Sequence, residues 1–414
     1  MKINTLRRID IWIGRPVCWI LTVLFRTKRI FVKKARIEDP KKILIIKLFG
    51  VGSLILALPS LRAIKEQYPD ASLFFLTFKG NEAVLSLSGA VSEANIITVR
   101  QDSFGHLVMD ILHCLRRLVA ERMDVVIDME FFSRFTAILS FFTRSRYRIG
   151  FYGFHTEGLK RGSFINFPIQ YNHTIHTARA FFTLLKPLGV SSDRYDPTLP
   201  LVPPSDNYQE RVDRILAKVN PAADRRSIKK WMLINPNTSD LIELRKWPEI
   251  NFAQTADTLL AKYANLGIIF VGSPQETAVI DSVTEGMTGE YKDRVFNAAG
   301  RTSIQGLMDL FHFADLFLTN DSGPAHLASM TDIPTVVLFG PETPELYAPL
   351  GGRALCLYLG LDCQPCVSIF NAKRSFCHDN RCLKEISPER VVGLCITALS
   401  IPPETRETAD MGVP

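Results

Sequence analysis

The chain has 414 residues, 47% hydrophobic and 22% charged, too long for one ordinary core and suited to two globular domains of roughly 150 to 200 residues. Its formal net charge is +7, yet residues 1–40 hold ten Lys and Arg against three Asp and Glu, which leaves 39 of each sign elsewhere. The neutral remainder excludes a broad nucleic-acid-binding face, and the basic start points to an anionic partner such as a membrane surface.

That first segment, residues 1–40, reads as a basic amphipathic arm. Its longest uncharged run, Pro16 to Phe25, is ten residues, about half a membrane crossing. The arm is therefore expected to lie on a bilayer, with Trp12 and Trp19 at the interface; the alternative is a helix packed on the body. Thr27, Lys28 and Arg29 follow the run in place of a small-residue cleavage site, so export is not expected. The expected location is cytoplasmic, peripheral at the inner face of the cytoplasmic membrane.

Next, "KKILIIKL" (41–48) reads as a strand, and "FGVGSLILALPSLRAIKEQYP" as a glycine turn leading into a helix. "SLFFLTF" (72–78) and "DVVIDM" (124–129) are further buried strands, with the helical pattern "FGHLVMDILHCLRRLVAERM" between them. This alternation predicts a doubly wound parallel sheet over 41–200. Pro197, Pro200, Pro203 and Pro204 mark a linker, placed at 201–228. The pattern restarts with "WMLINPN" (231–237), "LGIIFVGS" (266–273), "ADLFLTND" (314–321) and "IPTVVLFGP" (333–341), which predicts a second such domain over 229–400 and a flexible tail at 401–414. The fold class is α/β, two Rossmann-like domains facing a cleft, with ligands beyond the carboxyl ends of the strands.

One stretch, "FLTNDSGPAHLASMTDIPTVVLFGP" (317–341), puts a polar turn between two apolar runs. Asn320 to Gly323 fall at a strand's carboxyl end, Pro324 suits a first helical turn, and Asp321 or Ser322 can cap it. Such a turn offers backbone N–H groups to a phosphate, and His326 adds a donor. The alternative is a capped helix with no ligand. Farther on, in the loop 356–382, four of the eight cysteines, Cys363, Cys366, Cys377 and Cys382, fall within twenty residues. Four thiolates at this spacing suit a closed tetrahedral structural site for zinc, or for iron, with His378 as a substitute ligand. Reduced or disulfide-linked thiols are the alternative.

"TNDSGPAHLAS" with "IPTVVLFGP" resembles the signature of glycosyltransferase family 9, the heptosyltransferase family of lipopolysaccharide synthesis, which has the GT-B fold. "ILIIKLFGVGSLILALPSLRAIKEQYPDA", "INPNTSDLIELRKWPEINFA" and "IIFVGSPQE" are similar to other parts of the same family, in the same order, over roughly residues 41–395. The resemblance implies an enzyme that moves a sugar, usually a heptose, from an ADP-heptose-like nucleotide diphosphate to a lipid-linked or other glycan acceptor. The transfer would be inverting, with no metal or other cofactor in the chemical step. It implies donor binding by Asn237, Thr238, Arg245, Glu276, Asp321, Ser322, Gly323 and His326, with Asp321 also among the catalytic residues, and an acceptor-side loop at Gly50, Gly52 and Ser53. The bland readings are a solvated basic face for Arg245 and a helix-start carboxylate for Glu276.

The chain departs from the family at "GVGSL", where Ser53 stands in place of the usual loop aspartate. A serine hydroxyl is no general base without a base of its own. Glu130, just past a strand end beside Phe131 and Phe132, is the candidate to take a proton from the acceptor, unless it forms an ion pair with Arg134. His173 and His176 are lesser candidates, at helical spacing. A catalytically silent nucleotide-sugar-binding scaffold is the alternative function. A dinucleotide oxidoreductase is not supported, because "GVGSL" lacks the third glycine of that fingerprint.

Overall fold

The computed structural model describes residues 10–29, 37–131, 133–152, 161–220, 225–238, 242–371 and 373–400. It divides into two compact units, Met1–Pro197 and Thr198–Pro414.

The first unit is built on six parallel strands: β1 (Lys42–Ile46), β2 (Ser72–Phe78), β3 (Ile96–Val99), β4 (Val125–Asp128), β5 (Tyr147–Tyr152) and β6 (Phe167–Gln170). Their spatial order is β3-β2-β1-β4-β5-β6. Continuous apolar runs such as Ile43–Ile46 are needed because helices cover both faces of a parallel sheet. Ile46 is in register with Asp128, so the residues just past these two ends, Lys47 and Glu130, emerge side by side where the strand order reverses.

The second unit repeats the plan with β7 (Lys230–Asn235), β8 (Leu266–Phe270), β9 (Val295–Asn297), β10 (Leu316–Asn320), β11 (Thr335–Leu338) and β12 (Ala354–Leu357). The order β12-β11-β10-β7-β8-β9 is the same topology, with its reversal between β10 and β7. Thr319 pairs with Asn235 there, so the turns after these two strands also lie together.

Two boundary segments differ from the sequence reading. The stretch taken as a linker, 201–228, contains the helix Tyr208–Val219, whose Val212 and Leu216 are buried as it packs on the helix Ile304–Phe313. Its apolar residues repeat at i and i+4, which makes one face of a helix, and Val202 N–H already donates to the Met330 carbonyl at 2.8 Å. The prolines thus precede a packed helix of the second unit. In the arm, the helix Gly14–Arg29 lays Cys18 and Leu21 against Ala137, Phe164 and Ile165. Asp10 accepts from Phe135 N–H at 2.8 Å and pairs with Arg134 at 3.3 Å. The arm is therefore joined to the first unit, while Trp12 and Trp19 remain 79% and 69% exposed. Among the described residues no helix is long and apolar enough to cross a membrane. The tail 401–414 lies outside the described residues.

Candidate active site

In the first unit the loop after β1 is held by one carboxylate. Glu130 Oε1 accepts from Lys47 Nζ at 2.8 Å and from the N–H groups of Leu48 and Phe49 at 2.7 and 2.8 Å. Lys47 Nζ also donates to the Phe49 carbonyl at 2.6 Å. These bonds draw the chain into a tight turn that Gly50 completes at φ +83°, a conformation that glycine adopts without a Cβ clash. The helix Val51–Ile55 starts there.

This arrangement corrects one expectation: Glu130 does not pair with Arg134, which goes to Asp10; its buried partner is Lys47. Through Oε1, Glu130 clamps the glycine loop by holding one ammonium and two N–H groups. Phe131 packs into a cluster with Phe151, Tyr171 and Phe181, and Phe132 lies outside the described residues. The Ser53 hydroxyl donates to the Phe49 and Gly50 carbonyls at 2.8 and 3.0 Å, the back-bonding habit of serine in a first helical turn. The two histidines are not on one helix: His173 is exposed in a bend, and His176 caps the helix Thr177–Thr183, its Nδ1 accepting from Ala178 N–H.

Sequence reasoning missed the layer beneath. Asp128 is fully buried; Oδ2 accepts from Arg161 Nη1 at 2.7 Å and from Thr136 at 2.9 Å, and Oδ1 accepts from Glu130 N–H at 3.0 Å. Burial pushes its carboxyl up to about 6, against the pull of Arg161. The carboxylate ending an otherwise apolar strand was the available signal.

In the second unit the turns after β7 and β10 meet. Arg245, in the short turn Glu243–Arg245, reaches Asp321 Oδ2 at 3.2 Å and Glu342 Oε2 at 3.3 Å. Lys373 pairs with the other oxygen of Glu342. Among the described residues two cations thus meet two carboxylates, and Arg245, its side chain 12% exposed, belongs to this cluster and not to a solvated face. Asp321 does not cap the following helix, and neither does Ser322, whose hydroxyl meets that of Thr319 at 3.1 Å. Pro324 sits in the first turn as expected, but the helix Gly323–Ala328 has only six residues, too few for much dipole. His326 is buried within it.

Asn237 is 1% exposed, and among the described residues neither amide atom has a hydrogen-bond partner. Gly272 makes room beside it: a Cβ there would lie 3.2 Å from Asn237 Nδ2 and 3.3 Å from Glu276 Oε2. Thr238 is buried next in the chain. Glu276 folds back to accept from Ser273 N–H at 2.6 Å, completing a capping box. Missed by sequence reasoning were Glu342, which follows Gly340-Pro341 at the end of β11, and Asn380, whose Nδ2 donates to the carbonyls of Leu244 and Lys246 at 3.3 and 2.9 Å. A carboxylate just past a buried strand marked the first; nothing local marked the second.

The cysteines are free thiols. Ser375 donates to Cys366 Sγ, and Cys377 donates to the Asp379 carbonyl. The Cys382 thiol is pushed up to about 11, first by burial and then by Cys366, Cys363 and Cys377, so the four are neighbours. Among the described residues, however, no group of three or more His, Cys, Asp or Glu side chains is arranged to hold a metal. The expected closed tetrahedron is not formed.

Two parallel sheets of Rossmann order, each with polar residues gathered at its strand-order reversal, define an α/β protein of the GT-B class. The model of glycosyltransferase family 9 (heptosyltransferase) matches residues 111–375, more than half of the chain. The chain belongs to this family and is a glycosyltransferase. It is 26% identical to the lipopolysaccharide core heptosyltransferase OpsX of Haemophilus influenzae over 317 residues, covering 75% of this chain and 82% of the relative. Among solved structures, the family 9 glycosyltransferase of Veillonella parvula matches with a TM-score of 0.69 and 21% identity, over 88% of this chain and 99% of its own. The ADP-heptose lipopolysaccharide heptosyltransferase II of Escherichia coli matches with a TM-score of 0.67 and 18% identity, over 86% and 98%.

Proposed function

We propose that this glycosyltransferase moves a heptose from an ADP-heptose-like donor to a lipopolysaccharide-type, lipid-linked glycan acceptor, with inversion and without a metal in the chemical step. The observation that carries the donor reading is the unpartnered amide of Asn237, buried beside Gly272 and Glu276. A buried amide without partners is costly in the free protein, and a nucleotide's polar edge or phosphate supplies what it lacks. The acceptor hydroxyl oxygen bonds to the anomeric carbon and its proton passes to solvent water, while the bond from that carbon to the diphosphate oxygen breaks with its electron pair. The departing diphosphate gains charge, and Arg245 is the cation that meets it by leaving Asp321 and Glu342. Thr238, Ser322, Gly323 and His326 complete the donor side, and the Gly50–Ser53 loop serves the acceptor.

The scaffold reading has its own support, since Ser53 donates to main-chain carbonyls and Glu130 is tied by three donors. One experiment separates the two: purified protein is given a panel of nucleotide diphosphate sugars with a lipid-linked glycan, and thermal shift is read beside nucleotide release. ADP-heptose stabilisation with ADP release supports the enzyme; stabilisation without release at any acceptor supports the scaffold.

Cys363, Cys366, Cys377 and Cys382 do not form a closed site as they stand; zinc or iron, on binding, would have to draw the four thiols together, and its role would be to order the 356–382 loop. Elemental analysis of protein purified without added metal tests this, and much less than one equivalent counts against it. We infer that the reaction takes place at the inner face of the cytoplasmic membrane; the exposed Trp12 and Trp19 of the basic arm support that reading.

A further inference from the structure

From Pro16 to Phe25 the helix Gly14–Arg29 carries apolar side chains on every side save Thr22. Among the described residues, Cys18 and Leu21 meet the first unit, whereas Trp19, Ile20, Val23 and Leu24 of the helix, and Trp12 and Ile13 just before it, are exposed. Beneath it lies the helix Arg134–Phe142 and, next to that, the helix Phe104–Glu121. Both also carry uncovered apolar side chains, Phe142 on one and Phe104, Val108, Met109 and Leu112 on the other.

Where the latter two helices end, a cavity of about 590 Å³ opens, lined by Arg122, Arg144 and Arg146 together with Thr143 and Asp124. The Asp124 carboxylate already accepts from Lys41 and Lys42 N–H at 2.8 and 2.9 Å. All three arginines are exposed. Arg122 and Arg144 stand at φ +56° and +60°, the left-handed helix-end position that glycine fills at lower cost. Their side chains, not their backbones, account for arginine there. The helix Gly14–Arg29 runs parallel to Arg134–Phe142, since Gly14 lies against Arg134 and Phe25 against Phe141. Phe25 therefore lies toward the same end.

We propose that this side of the first unit is a docking face for an anionic lipid bilayer, with the Trp12 to Leu24 ridge in the headgroup–acyl boundary and the arginine cavity holding a lipid phosphate. The inference rests on the membrane reading of the arm and adds to it a headgroup site in the body. A bilayer fits because its two layers of chemistry, apolar and anionic, match the two parts of the face; Trp favours that boundary.

The test is cosedimentation of the full chain with vesicles of phosphatidylcholine alone or mixed with phosphatidylglycerol. Three variants accompany it: Trp12→Gln/Trp19→Gln, Arg122→Gln/Arg144→Gln/Arg146→Gln, and a charge control, Lys218→Gln/Lys229→Gln/Lys262→Gln in the second unit. All sites are exposed, and circular dichroism confirms folding. The parent should prefer phosphatidylglycerol vesicles; the arginine variant should lose about 100-fold in affinity for them, the control little, and the tryptophan variant binding to both kinds. Full affinity in the arginine variant overturns the headgroup site and leaves the membrane reading standing. No vesicle binding by the parent overturns both. Thermal stabilisation by inorganic phosphate that needs the arginines, without vesicle binding, makes the cavity a free-anion site. A dimer in sedimentation that the tryptophan variant dissociates makes the ridge a contact between copies, and either of these last results also overturns the proposal.

Discussion

Lys47 Nζ and Glu130 Oε1 lie 2.8 Å apart, with both side chains almost wholly buried, and this pair fixes the loop that carries Gly50 and Ser53. Glu130→Gln keeps an oxygen that Leu48 and Phe49 can donate to but leaves Lys47 without its counter-charge. We expect a stability loss of about 1–3 kcal/mol, with turnover of the folded variant within about tenfold of the parent. Denaturant titration and steady-state rates on one preparation check both. An undiminished stability with turnover down about 100-fold would instead make Glu130 the base.

Arg161 and Asp128 form the deeper pair, with both side chains at 2% exposure or less. Arg161→Met leaves a buried carboxylate unpaired and should cost about 3–5 kcal/mol near pH 8. The Asp128 carboxyl, pushed up to about 6 in the parent, rises further once Arg161 is gone. A raised folded value means that this group's stability contribution is fully present below its unfolded value, about 3.9, and is lost as pH rises through the folded value. The defect of Arg161→Met relative to the parent should therefore shrink toward pH 4 and grow toward pH 8. A defect constant across that range would show that the lost side-chain packing, not the charge pair, is responsible.

Both sheets were legible in the sequence because parallel strands buried on two faces are apolar runs, and Ile43–Ile46 and Leu316–Leu318 cannot be much else. The polar turn at Asn320–Gly323 was legible too, by its place after such a run. Partners were not. Whether Asp321 caps a helix or meets Arg245, and whether Glu130 meets Arg134 or Lys47, depends on which strand ends adjoin across the sheet. Periodicity along one strand carries no information about that. The helix Tyr208–Val219 was obscured for a different reason: four prolines just before it suggested an extended crossing, though Val212 and Leu216 kept a helical repeat.

Asn237 yields a prediction in which stability and function move apart. Its amide atoms have no partner among the described residues, so Asn237→Ala removes an unsatisfied polar group from the interior. The free protein should melt at the same temperature or slightly higher, while donor affinity falls about 10- to 100-fold, the worth of one or two hydrogen bonds to a charged group. Calorimetric titration with ADP beside a thermal melt gives both values. A lower melting temperature with unchanged ADP affinity would remove Asn237 from the donor site.

Asn380 acts on the same site from a distance. It stands in the cysteine-bearing loop, and its amide donates to the carbonyls on both sides of Arg245, those of Leu244 and Lys246. With both bonds in place the turn Glu243–Arg245 is held and the guanidinium is directed toward Asp321 and Glu342. Asn380→Ala frees the turn without removing the cation, so the energy of fixing Arg245 must then come from donor binding. The donor KM should rise about tenfold, the equivalent of one or two neutral hydrogen bonds, with kcat within about threefold of the parent. A general loss of stability would depress both constants, so the split between them identifies the positioning role. The stricter check is a double-mutant cycle with Arg245→Ala. If Asn380 works through Arg245, removing Asn380 should do little more once the guanidinium is gone. A full tenfold further loss in that background would mean that Asn380 serves the donor by some other route.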